Sequence, residues 1–100
     1  MFVRLSKNGE VQLPTKFATR LDSSKDWNIG VTIADSIFIS DTTIPHQEIF
    51  GIAKPRMVAG NYFVTLPGDL CKELNLKAGG KLSCRFLNTL CGNEILLEKL

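Results

Sequence analysis

The chain has 100 residues, 44% of them apolar, with 12 basic and 10 acidic side chains and a formal net charge of +2. That length supports one small domain, or two very small halves that share a core. The near-balanced charge excludes a chain that binds polyanions through total charge and leaves room only for a local basic patch.

No charged leader precedes an apolar stretch, and no apolar run approaches the roughly 18 residues of a membrane span. Three cysteines, Cys71, Cys84 and Cys91, form no CxxC pair and are odd in number. They read as structural thiols of a reducing, cytoplasmic protein without a membrane anchor.

Residues 2–7, FVRLSK, alternate, with Val3 and Leu5 facing one way and Arg4 and Ser6 the other. Asn8-Gly9 predicts a type I′ hairpin turn. Val11 and Leu13 resume the apolar alternation, and Pro14 ends the strand at a position that suits the first turn of a helix. A helix is predicted over 15–22, where Phe17 and Leu21 stand four apart and make one apolar stripe. Trp27, Ile29, Val31 and Ile33 alternate as a strand, and 37–40, IFIS, is its return.

Residues 41–51 read as a linker, because Pro45 argues against a central strand. The second half then begins again. Residues 52–67 predict strand, Gly60-Asn61 turn, strand and Pro67, and 68–76 predict a helix in which Leu70 and Leu74 repeat Phe17 and Leu21. Residues 77–80, KAGG, stop that helix. Leu82, Cys84 and Phe86 alternate, residues 88–93 turn, and 94–100 close the chain as a last strand.

At an offset of 53, Asn8, Val11, Leu13, Pro14 and Leu21 fall on Asn61, Val64, Leu66, Pro67 and Leu74. Each half therefore reads ββαββ, with boundaries 1–40 and 52–100. Such a unit exposes strand edges and an apolar face, so two copies are expected to close one core around a pseudo-two-fold axis.

Three stretches carry a family likeness. Residues 4–14, RLSKNGEVQLP, resemble the first hairpin of the AbrB/MazE-like (SpoVT-AbrB) swapped-hairpin transcription factors. Residues 66–82 resemble that family's proline–helix–leucine–glycine run, and 93–100 its closing strand. The resemblance implies a mostly β fold with short helices, a swapped-hairpin β-barrel with both copies in one chain. It also implies duplex DNA as partner, bound by the paired first hairpins. Arg4 and Arg56 match basic first-strand positions, Lys7 and Lys54 flank them, and Lys72 matches a basic helix position. Glu10 and Phe63 stand where many relatives carry an arginine.

A second reading uses those departures. In a protein-interaction module, antitoxin-like or an assembly adaptor, Glu10, Phe63 and residues 41–51 would form a mixed apolar contact surface, with self-association open. An enzyme is not expected. His46 is the only histidine, no nucleophile and orienting group converge on it, and no ligand spacing implies a metal or other cofactor.

Overall fold

A computed structural model describes residues 1–42, 48–89 and 92–100. Ile44, Pro45, His46 and Cys91 lie outside the described residues. Among the described residues nine strands and two short helices follow one another as β1 (Phe2–Arg4), β2 (Glu10–Leu13), α1 (Thr15–Ala18), β3 (Trp27–Val31), β4 (Ile37–Ser40), β5 (Glu48–Ala53), β6 (Arg56–Val58), β7 (Asn61–Thr65), α2 (Gly68–Glu73), β8 (Lys81–Thr89) and β9 (Gly92–Lys99).

The strands assemble into two open sheets. The larger has the order β1-β8-β9-β4-β3-β5, and the smaller β2-β7-β6. The expected swapped-hairpin barrel is not formed, because the edge strands of neither sheet pair with each other. The chain changes sheet at two places. It leaves β1 through the turn at 6–9, where a single Leu5–Val11 bridge links the sheets. It leaves β5 at Lys54-Pro55, where the proline has no N–H to continue a ladder. β6 is then only three residues long. A segment that short, entered through proline, extends neither sheet far enough to close it.

Strand pairing runs between the two parts of the chain. β1 pairs with β8, β2 with β7 and β4 with β9, all antiparallel. In β2–β7 the two valines matched by the sequence repeat, Val11 and Val64, lie directly opposite each other. The inward faces of both sheets meet in one apolar cluster that includes Val11, Leu13, Trp27, Ile29, Ile39, Val64, Leu70, Ile95 and Leu97. Trp27 is fully buried, and its Nε1–H donates to the Asp22 carbonyl at 2.9 Å. Phe38 and Leu96 pack on the opposite face of the larger sheet, so Ile37–Ser40 is buried on both faces.

Several local expectations change. Gly9 has φ +79°, but Asn8 does not have positive φ, so the Asn8-Gly9 turn is not type I′. The Gly9 N–H donates to the Ser6 carbonyl at 3.0 Å, and Ser6 Oγ accepts from the N–H groups of Asn8 and Glu10. The type I′ position lies one residue earlier than expected in the second hairpin, at Ala59-Gly60, where both φ values are positive, +51° and +81°. Alanine seldom adopts that region, so composition does not flag it.

Both helices begin at the expected prolines. The Pro14 carbonyl accepts from the N–H groups of Phe17 and Ala18, and that of Pro67 from Cys71. They end early. Beyond Ala18 the bonds from Arg20 to Phe17 and from Leu21 to Ala18 tighten the chain into three-residue turns, which still deliver Leu21 to the core. α2 stops where Asn75 takes φ +55° and the Leu76 N–H reaches back to the Cys71 carbonyl at 2.8 Å, before the glycines. Residues 48–51, expected to be linker, belong to β5, which pairs with β3. β8 and β9 reach Thr89 and start again at Gly92, so 88, 89, 92 and 93 are strand rather than turn.

Candidate interaction surface on the three-stranded sheet

Alternation along β2, β7 and β6 sorts this sheet into two faces. Val11, Leu13 and Val64 point into the core, and Tyr62 packs against it. Glu10, Gln12, Arg56, Val58 and Phe63 have the opposite parity and point outward. The register places Gln12 opposite Phe63 and Phe63 opposite Arg56, a row across all three strands. Glu10 lies one step along, opposite Thr65.

From that row Arg56 reaches diagonally over β7. Its Nη2 donates to Glu10 Oε1 at 2.7 Å and its Nε to Oε2 at 3.1 Å, a two-point fork on one carboxylate. The guanidinium also lies 4.9 Å from the centre of the Phe63 ring. Hydrogen bonding to Glu10, and then its charge, hold the Arg56 pKa above its ordinary value. The Ser6 hydroxyl pins the Glu10 amide, so the turn before β2 helps aim the carboxylate.

Arg4 ends β1. Its Nη1 donates to the Gly79 carbonyl at 3.1 Å. Arg4, Ser6, Glu10, Gln12, Phe63 and Gly79 line one cleft of about 360 Å³. The two arginines singled out from the sequence thus approach the same cleft, Arg4 directly and Arg56 through Glu10 and Phe63. Lys7 is exposed in the adjoining turn. Lys54 lies between β5 and β6 with its ammonium 4.0 Å from Asp26. Lys72 is exposed on α2 and takes no part in the cleft.

The Glu10–Arg56 pair joins residues 46 apart in sequence. Reading the repeat as a pairing of Val11 with Val64 would have put Gln12 beside Phe63. Placing the turn at Ala59-Gly60 would then have put Arg56 on the far side of that ring. A turn one residue later, at Gly60-Asn61, moves the partner of Arg56 by two positions, to Thr65, and hides the relationship.

No group of three or more His, Cys, Asp or Glu side chains suited to a metal ion occurs among the described residues. No helix among them is long and apolar enough to cross a membrane. Comparison of the chain with protein-family models, curated proteins and solved structures returns no match. The likeness of 4–14, 66–82 and 93–100 to the AbrB/MazE-like family is therefore withdrawn, since neither an open pair of sheets nor a family match supports it.

Proposed function

We propose that this chain is a protein-interaction module that presents the outward face of the three-stranded sheet to a partner protein. The observation that carries this is the Arg56 fork on Glu10, laid over the Phe63 ring. A phosphate contacting Arg56 would have to displace a carboxylate or sit beside it, so little net attraction is gained. A protein partner meets instead a neutralised, pre-ordered guanidinium on an aromatic ring. Arginine and aromatic side chains dominate interface centres because they combine large contact area with fixed donors. Val58, about half exposed on the same face, adds apolar area beside them.

Two measurements test this. Affinity capture is compared between the wild type and a Val58→Asp/Phe63→Ser variant. Proteins recovered by the wild type and lost with the variant support the module, and identical recovery overturns it. In parallel, mixed-sequence duplex DNA is titrated at low and moderate salt with the wild type and with an Arg4→Ala/Arg56→Ala variant. Tight, steeply salt-dependent binding lost in that variant would favour the duplex-DNA reading of Arg4, Lys7, Lys54, Arg56 and Lys72 instead.

A further inference from the structure

One line of outward side chains crosses both sheets. Arg56 lies opposite Phe63, and Phe63 opposite Gln12. The Leu5–Val11 bridge sets Gln12 across from Arg4, and Arg4 lies opposite Lys81 on β8. Val3 and Leu82, the neighbouring pair of the same ladder, are buried in the core. Alternation therefore turns Arg4 and Lys81 outward, and both are exposed.

Directly opposed residues of an antiparallel pair hold their Cβ atoms about 5 Å apart, and like charges placed so repel. Arg4 and Lys81 take part in no ion pair among the described residues. Arg4 Nη1 donates to the Gly79 carbonyl at 3.1 Å, which anchors the guanidinium and leaves its other N–H donors open. Lys81 Nζ lies 6.0 Å from the centre of the Phe2 ring, a side chain 60% exposed. The rows on either side of this pair carry Glu10 and Glu98. Both carboxylates are engaged elsewhere, Glu10 by Arg56 and Glu98 by Arg85 Nε at 3.0 Å.

We propose that Arg4 and Lys81 form a docking site for a carboxylate of a partner protein, carried by an acidic extended segment laid over β1 and β8 beside Phe2. The site continues the contact face of the three-stranded sheet onto the larger sheet, and it rests on that reading of the face. Charge complementarity selects the occupant. A carboxylate between the two cations relieves their repulsion, and the guanidinium meets it with a planar fork of donors. A nucleic-acid strand repeats its charge at every nucleotide and would run from this pair onto Glu10 or Glu98. An acidic peptide places neutral side chains there instead.

The probe is an acetylated hexapeptide amide of alternating valine and glutamate. It is titrated into the isotope-labelled full chain and followed by amide chemical shifts. Saturable shifts centred on Phe2, Arg4, Lys81 and Ser83 are expected. The same peptide with glutamine for glutamate is expected to bind about tenfold more weakly, and an Arg4→Gln/Lys81→Gln variant to lose affinity for the original peptide by a similar factor. Both substituted side chains are exposed, and unchanged amide positions elsewhere confirm that the variant is folded. Absence of saturation below roughly 1 mM overturns the proposal. So do shifts centred elsewhere, equal binding of the glutamine peptide, or undiminished binding by the variant. Tighter binding of a short oligothymidylate, lost in the same variant, overturns it in favour of single-stranded nucleic acid. Failure of the peptide to bind, alongside loss of captured proteins in the Val58→Asp/Phe63→Ser variant, removes this site and leaves the module standing. The module itself falls on identical recovery in that capture.

Discussion

Arg56 grips the carboxylate of Glu10 through two nitrogens, across the strand that separates them, with the Phe63 ring beneath its guanidinium. Neither charge is free to act alone. Removing the carboxylate is therefore expected to release a cation. Glu10→Gln should raise the low-salt affinity for duplex DNA and steepen its salt dependence by about one released counterion. Because the pair is exposed, the urea midpoint should hardly move. DNA affinity equal to that of the wild type would show that Glu10 does not mask Arg56.

Leu13 and Leu70 belong to opposite ends of the repeat yet lie in one apolar cluster. Leu13→Ala and Leu70→Ala are each expected to cost about 2–5 kcal/mol, through lost burial and an unfilled cavity. Trp27, the only tryptophan, reports the first part of the chain. Its fluorescence transition in urea should shift as far with Leu70→Ala as with Leu13→Ala, and should coincide with the circular-dichroism transition. Separate transitions would mean that the two parts fold independently.

Ala59 occupies the left-handed region at φ +51°, next to Gly60 in the β6–β7 turn. That conformation crowds an alanine Cβ against the following carbonyl. Ala59→Gly is expected to stabilise the protein by about 1 kcal/mol, net of the glycine's greater freedom when unfolded, read as a higher urea midpoint. A lower midpoint would show that the turn carries no such strain.

Glu94 lies on β9 with only 7% of its surface exposed, opposite Ser40 on β4 and Leu87 on β8. Burial pushes its pKa above the ordinary glutamate range. The folded state therefore holds this proton more tightly than the unfolded state. The stabilising contribution is complete below the ordinary glutamate pKa and is lost as pH rises through the raised one. Glu94→Gln should be more stable than the wild type at neutral pH, with the advantage shrinking under acid. Parallel pH–stability curves for the two proteins would refute this.

Cys84 is buried, and its thiol is pushed up to about 11 by burial. Cys71, half-buried on α2, is raised in the same direction for the same reason. Alkylation at pH 8, mapped by residue with mass spectrometry, should leave Cys84 unmodified and Cys71 slow in the native protein. Both should react at the rate of a free thiol in urea. Rapid native labelling of Cys84 would contradict its burial.

Much of the local structure was legible in the residues. Alternation located β1, β2, β3 and the core positions of β8, because side chains in a strand change face at every step, and β4 was read from the short run IFIS as the return strand of β3. Pro14 and Pro67 marked both helix starts. The ends of the helices were not legible. A two-turn helix has too few internal bonds to outlast a competing three-residue turn or a left-handed Asn75. The sequence by itself determined which side chains of each strand are apolar and that a proline precedes each helix. Only the tertiary structure decided which strands share a sheet, that neither sheet closes, and that Arg56 meets Glu10. Face alternation is a property of neighbouring residues. Register and sheet membership depend on where the chain turns, and one residue of displacement at Ala59-Gly60 is enough to change every partner beyond it.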